Sequence, residues 1–102
     1  MNNTLSSGEE ANKFLIVGLG NPGNQYELTP HNLGFHAVDR LAERLNVRLT
    51  QRTANAVVGF GKYGDVSLVF AKPQTYMNLS GNAVKPLLAN QGIGPDRLIV
   101  VY

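Results

Sequence analysis

A short side-chain amide and a histidine stand out in the stretch IVGLGNPGNQYELTPHN, which runs from Ile16 to Asn32. Asn21 directly follows an apolar run that predicts a strand, and His31 comes where a helix is predicted to begin. The positive end of a helix dipole disfavours the imidazolium form, so we expect a lowered pKa and a neutral ring that can act as a base. A purely structural histidine is the alternative interpretation.

The other chemistry that the sequence could support is narrower. His36 lies five residues after His31, about 140° around a helix, so a metal site shared by the two is not expected and His36 is predicted to pack or to face solvent. The chain contains no cysteine, which excludes disulfides, thiol nucleophiles and thiolate metal ligands. It also lacks the G-x-S-x-G motif of a serine nucleophile, so direct attack by water is favoured over an acyl-enzyme.

The glycines of GLGNPG, residues 18–23, have the G-x-G-x-x-G spacing of a dinucleotide-binding turn. In that fold the glycines open the helix directly, and an acidic residue ends the next strand. Here a proline interrupts the motif, the helical pattern begins only at about Thr29, and Asp39 falls within the helix. The glycines therefore favour another role, either structural or in a different site, and a nucleotide-binding domain is kept as an alternative.

Alternating apolar runs and amphipathic segments predict the elements that position these residues. Strands are predicted at Lys13–Leu19 and Asp96–Tyr102, a hairpin at Ala56–Lys62 and Val66–Lys72, and helices from Pro30 to about Leu45 and from about Ser80 to Gln91. Thr29 is the predicted N-cap of the first helix and Ser80 that of the second. Gly92 is the predicted stop of the second helix, and Pro86 predicts a kink or a late start.

Strands interleaved with helices predict an α/β fold with three layers, α/β/α, around a mixed twisted sheet that is apparently truncated after a core strand. Residues 1–12 are predicted to form a flexible polar tail and residues 13–102 part of a single domain. The composition, 43% hydrophobic and 16% charged, is typical of a globular chain. No apolar run approaches the roughly 18 residues that span a bilayer, so we expect a soluble, cytoplasmic protein.

Charge allows a polyanionic partner without requiring one. The net charge is +2, and without Glu9 and Glu10 of the predicted tail nine basic residues face five acidic ones, a net +4 over residues 13–102. A mildly basic solvated surface is the alternative.

Three separated blocks then resemble one family: IVGLGNPG, the pattern Y-x-x-T-x-H-N-x-G from Tyr26 to Gly34, and KPQTYMNLSG from Lys72 to Gly81. In this order, over most of residues 14–102, they resemble the bacterial-type peptidyl-tRNA hydrolases. That family cleaves the ester between a peptide and the 3′-terminal ribose of tRNA, which frees tRNA from prematurely released chains. The resemblance implies that residues 13–102 are the amino-terminal part of a single α/β hydrolase domain. It also implies peptidyl-tRNA as partner, no metal or other cofactor, and a monomer.

The resemblance implies a catalytic role for His31 and Asn21 and a substrate-binding role for Asn78. His31 would be the general base that activates a water molecule, and Asn21 would bind near the scissile ester. Asn78 would hold the substrate and the water through its amide. Ester hydrolysis needs an oriented water, a base that titrates near neutral pH and donors to the oxyanion, and these side chains could supply them.

Tyr26 and Tyr76 match positions that line the site for the tRNA 3′ end, and Met77 would contribute an apolar wall. Aromatic faces suit the unpaired bases of a single strand. Half-buried wall residues are the alternative for both tyrosines.

Two departures from the family pattern affect the expected activity. Pro30 stands where the family usually has arginine. The family also continues well beyond the last strand and directly after it places an aspartate that holds the histidine in its basic form, followed by another asparagine and basic residues for tRNA. This fragment alone is therefore expected to be weak or inactive, and a non-hydrolytic tRNA- or RNA-binding relative is the alternative function.

Overall fold

The computed structural model describes residues 12–21, 32–53, 55–75 and 79–102. Its elements in chain order are β1 (Lys13–Gly18), α1 (Leu33–Arg44), β2 (Gln51–Arg52), β3 (Ala56–Tyr63), β4 (Val66–Pro73), α2 (Gly81–Gln91), a short 3-10 helix (Pro95–Arg97) and β5 (Leu98–Val101). The predicted tail, residues 1–12, falls outside the described residues except for Asn12 and stays a prediction. None of the described helices is long and apolar enough to cross a membrane.

The strands form one mixed sheet in the order β2-β3-β4-β1-β5. β1 pairs in parallel with β4 on one side and β5 on the other, whereas β3 pairs antiparallel with β4 and with β2. A strand flanked by neighbours and covered on both faces must be apolar throughout, which explains the sequence of β1. The predicted mixed sheet is confirmed, and β5 forms one edge of it within the described chain.

Each face of the sheet carries one helix. Successive side chains of a strand point to opposite faces, so Leu15 and Val17 pack into the core under α2, while Ile16 packs into the core under α1. Phe70 of β4, which pairs with Ile16, belongs to the second of these cores. The predicted three-layer α/β/α arrangement is confirmed.

The predicted hairpin is also confirmed. β3 and β4 pair from Ala56 with Pro73 to Tyr63 with Val66, which leaves a loop of Gly64 and Asp65. Gly64 has φ 61°, the left-handed region that the first loop position of a type II′ turn requires. The two-residue strand β2 was not predicted, because two residues carry no readable alternation.

The start of α1 differs from the prediction. The helix begins at Leu33 rather than Pro30, and the residue at its N-cap position is Asn32 rather than Thr29. His31 lies outside the described residues, so its predicted position in the first turn stays a prediction. The Asn32 side chain accepts the Asn21 N–H and makes no cap bond to the helix.

Both helices end in the same way. Asn46 and Gly92 adopt positive φ values of 58° and 65°, and the residue after each donates its N–H back to the last turn. Val47 N–H bonds Ala42 O at 2.8 Å, and Ile93 N–H bonds Leu88 O at 2.9 Å, as in a Schellman motif. The predicted stop at Gly92 is confirmed, whereas the use of Asn46 was not predicted.

The structure tests the predicted cap and late start of α2, whereas the predicted kink stays a prediction. Ser80 stands at the N-cap position, but its side chain makes no cap hydrogen bond, and its carbonyl accepts from Ala83 N–H at 2.9 Å. Pro86 lies inside the helix, which begins at Gly81, so there is no late start. Proline has no N–H for the Asn82 carbonyl four residues earlier, and Asn55 Nδ2 donates to that oxygen instead at 3.3 Å.

Glycines allow α1 to approach the carboxyl ends of β1 and β5 closely. A methyl group on Gly18 would lie 2.6 Å from Val38 Cγ2 and would overlap the Gly34 carbonyl. A methyl group on Gly34 would lie 2.6 Å from Leu19 N and would overlap the Val101 carbonyl. The backbones of the helix and the two strands are therefore in direct contact.

We expect Gly34→Ala to lower the free energy of unfolding by roughly 1–3 kcal/mol, because its new methyl group meets backbone atoms that cannot move aside independently. Urea unfolding measures the change. Gly81→Ala is the matched control, since a methyl there meets nothing within 4 Å, and it should be neutral or slightly stabilising. Equal unfolding free energies for the two variants would contradict the close contact.

Candidate active site

The structure describes one of the six residues that the sequence assigned to the site. Asn21 lies among the described residues, whereas His31, Tyr26, Tyr76, Met77 and Asn78 lie outside them. The described residues do not test whether these side chains meet. Their roles stay predictions.

The described residues that lie nearest in sequence to the predicted site residues share one edge of the sheet. β1 and β4 are parallel neighbours, so their carboxyl ends meet at the same edge. Asn21 follows β1 there, and Thr75 follows β4. At Asn21 and at Thr75 the chain thus leaves the sheet at the same edge, which is where α/β proteins hold their ligands.

A buried asparagine ties this edge together. The Asn21 N–H donates to Asn32 Oδ1 at 2.9 Å, across eleven positions of sequence, and Asn32 is only 5% exposed. A buried amide needs such partners, because leaving one unpaired costs about 1–3 kcal/mol. Asn32 therefore fixes the turn that carries Asn21 relative to the start of α1.

Sequence reasoning did not assign a role to Asn32. It occurs in the block Y-x-x-T-x-H-N-x-G directly after His31, and this was the available signal. An asparagine before a helix reads most simply as an N-cap. Only the fold shows that its side chain turns toward the Asn21 N–H instead.

Gly20, which lies just after β1, has a packing role. A methyl on Gly20 would lie 2.8 Å from Asn32 Oδ1 and 2.9 Å from the Phe35 ring. Asp39 lies inside α1 and not at the end of a strand, where a dinucleotide site places its acid. Close packing therefore explains the spacing of Gly18 and Gly20.

Lys72 connects the end of β4 to α1. Its ammonium forms a salt bridge with Asp39 Oδ1 at 2.8 Å and lies 5.8 Å from the centroid of the Phe35 ring. Phe35 also packs against Gly20. Lys72 is the first residue of the block KPQTYMNLSG, so these contacts connect the start of that block to α1. The Asp39 carboxylate is paired with Lys72.

Two further observations concern the chemistry of the site. Thr75 Oγ1 is buried and has no hydrogen-bond partner in the part of the chain that the structure describes. Among the same residues, no group of three histidine, cysteine, aspartate or glutamate side chains could hold a metal ion.

Solved structures share this architecture. The crystal structure of peptidyl-tRNA hydrolase from Acinetobacter baumannii at 1.00 Å resolution superposes with a TM-score of 0.81 and 36% sequence identity, over 87% of this chain and 46% of that one. A crystal structure of peptidyl-tRNA hydrolase in complex with N-propanol has the same score and identity, over 88% of this chain. The fold defines an α/β protein of the peptidyl-tRNA hydrolase class.

Sequence comparisons identify the family. The model of the peptidyl-tRNA hydrolase family matches residues 15–102. The peptidyl-tRNA hydrolase of Solibacter usitatus is 49% identical over 89 residues, which is 87% of this chain and 45% of the relative, and that of Koribacter versatilis is 54% identical over 89 residues. The chain belongs to the peptidyl-tRNA hydrolase family and spans about half the length of these curated relatives.

Replacing Asn32 tests the hydrogen bond between the Asn21 N–H and Asn32 Oδ1. In Asn32→Ala the Asn21 amide loses its acceptor, so we expect a loss of about 1–3 kcal/mol in unfolding free energy and faster hydrogen exchange at Asn21. Exchange is measured by NMR on the amide of residue 21. The exposed Asn90 provides the control: Asn90→Ala should leave that exchange rate unchanged, and unchanged exchange in Asn32→Ala as well would refute the positioning role.

Proposed function

We propose that these 102 residues form the amino-terminal part of a peptidyl-tRNA hydrolase. The intact protein hydrolyses the ester between the peptide and the 3′-terminal ribose of peptidyl-tRNA, and it releases free tRNA. The family match over residues 15–102 carries this proposal. The fixed position of Asn21 at the carboxyl edge of the sheet supports it.

In the proposed mechanism His31 is the general base. It removes a proton from a water molecule as the water oxygen attacks the ester carbonyl carbon. Asn21 and Asn78 donate hydrogen bonds through their side-chain N–H groups to the carbonyl oxygen, which stabilises its negative charge, and Asn78 also holds the water by its amide. Collapse of the tetrahedral intermediate expels the ribose oxygen, and this oxygen takes up the proton that His31 removed from the water.

The tRNA 3′ end is held by apolar and aromatic side chains in this proposal. Tyr26 and Tyr76 stack on unpaired bases and Met77 forms an apolar wall. Asn21 also distinguishes a blocked peptidyl group from a free amino group. The protein acts as a monomer in the cytoplasm, where peptidyl-tRNA arises during translation.

The 102 residues alone are proposed to be weakly active or inactive. β5 is parallel to β1, and the Leu19 N–H bonds Val101 O at 2.9 Å, so the carboxyl end of β5 lies at the same edge as Asn21. An aspartate that follows this strand in the family pattern would thus arrive at the site, and none occurs in these residues after Asp96. Without a carboxylate partner the base lacks a fixed tautomer and orientation.

A second candidate function is the alternative that the sequence left open. A tRNA- or RNA-binding protein without hydrolysis could use the same edge. Retained tRNA affinity in a protein that cleaves no ester would support this candidate.

Replacing His31 with alanine separates these two functions. We expect His31→Ala to lower hydrolysis of N-acetyl-aminoacyl-tRNA by about 10²–10⁴-fold, the usual contribution of a general base. Asn90→Ala is the control and should leave the rate unchanged, because Asn90 is exposed on α2 and is not one of the predicted site residues. The assay uses this chain at high concentration, and in parallel a fusion of residues 1–102 to the remaining half of the Solibacter usitatus relative.

The fusion should be fast and the 102-residue chain slow. Equal rates in the two would refute the weak activity of this chain. A rate insensitive to His31→Ala in both proteins would refute the general base, and tRNA affinity without any cleavage would favour the binding protein.

A further inference from the structure

A wide groove runs along the outer side of α1 and does not belong to the site described above. Its volume is about 950 Å³, and it lies between α1, the segment 46–49 that follows the helix, and the end of β4. The charged or titratable side chains along it are His36, Asp39, Arg40, Glu43, Arg48 and Lys72.

Ion pairing within this α1 groove leaves two arginines available to bind a ligand. Asp39 is paired with Lys72, so these two cancel. Arg40 and Arg48 form no salt bridge within the described residues, and they face the single remaining carboxylate of Glu43. Both side chains are exposed. Arg44 and Arg52, also exposed, continue the same four-residue spacing on either side of Arg48.

The groove adjoins the candidate active site. Lys72 lines the groove and lies 5.8 Å from the centroid of the Phe35 ring, and this ring also lies close to Gly20. The groove is therefore connected through Lys72 and Phe35 to the segment that carries Asn21.

Side-chain chemistry favours a phosphate backbone in the groove. A guanidinium presents a planar fork that matches phosphate oxygens, and it remains charged at all relevant pH values. No tyrosine, phenylalanine or tryptophan lines the groove, so it lacks the flat faces on which unpaired bases stack. The groove is thus suited to double-stranded RNA, which presents phosphates, more than to a single strand.

We propose that the α1 groove binds the phosphate backbone of the double-stranded acceptor stem that adjoins the tRNA 3′ end, with Arg40 and Arg48 as the phosphate ligands. This inference rests on the proposed function, because it takes tRNA as the substrate. It adds a contact outside the residues that the family resemblance assigns. Glu43 opposes the contact and limits its strength.

Binding of two RNAs to the 102-residue chain tests this proposal. One is a hairpin minihelix with an acceptor stem and a 3′ CCA end, and the other is a single strand ending in CCA; fluorescence anisotropy gives both affinities. Arg40→Gln with Arg48→Gln should weaken minihelix binding about tenfold or more, because two charge-assisted contacts are lost. Binding of the single strand should change little.

The matched control removes the same charge elsewhere. Lys62→Gln with Lys85→Gln also lowers the net charge by two, and both lysines are exposed, Lys62 in β3 and Lys85 in α2. It should weaken minihelix binding far less. The salt dependence of minihelix binding should also distinguish the arginine variant from the lysine variant. Losing two phosphate contacts reduces the slope of log K against log salt by about 1.8. Glu43→Gln should strengthen binding.

Circular dichroism and urea unfolding establish that each variant folds like the parent. Equal weakening by the arginine and lysine pairs would overturn the proposal, because net charge alone would then explain binding. No measurable binding of the minihelix to the parent chain would overturn it as well. Since no readout involves ester cleavage, loss of hydrolysis in His31→Ala is independent of these results.

Discussion

The close backbone contact between α1 and the carboxyl ends of β1 and β5 is the constraint on which the site depends. Gly18 and Gly34 have no side chains, and any methyl at either position would meet backbone atoms of the other segment. A helix normally packs on a sheet at a distance set by the side chains between them. Here the first turn of α1 lies directly on the strand ends.

This proximity explains how a hydrogen bond can join residues on two elements. Asn32 can accept from the Asn21 N–H at 2.9 Å only because α1 begins so close to the end of β1. Lys72, through Asp39 and Phe35, adds the end of β4 to the same assembly. The backbone at the sheet edge is therefore fixed by the hydrogen bond between Asn21 and Asn32, by one salt bridge and by three glycines, before any substrate binds.

The glycine motif shows how one spacing can serve two kinds of chemistry. In a dinucleotide fold the glycines let the pyrophosphate approach a helix N-terminus. In this protein Gly18 and Gly20 let a helix and a buried asparagine approach the strand. Both uses need a backbone without Cβ atoms, so the spacing alone does not distinguish them. The proline within the motif and the delayed helix did favour the second use at the level of sequence.

The sequence by itself determined the layers, the strand β1, the β3–β4 hairpin and the family. These features depend on local periodicity, on turn residues such as Gly64, and on three blocks of residues whose order is visible without folding. Tertiary structure alone decided that α1 begins at Leu33, that Asn32 bonds Asn21 and that Asn55 satisfies the carbonyl freed by Pro86. Each of these involves a partner distant in sequence, and hydrogen-bonding groups choose such partners only when packing brings them within reach.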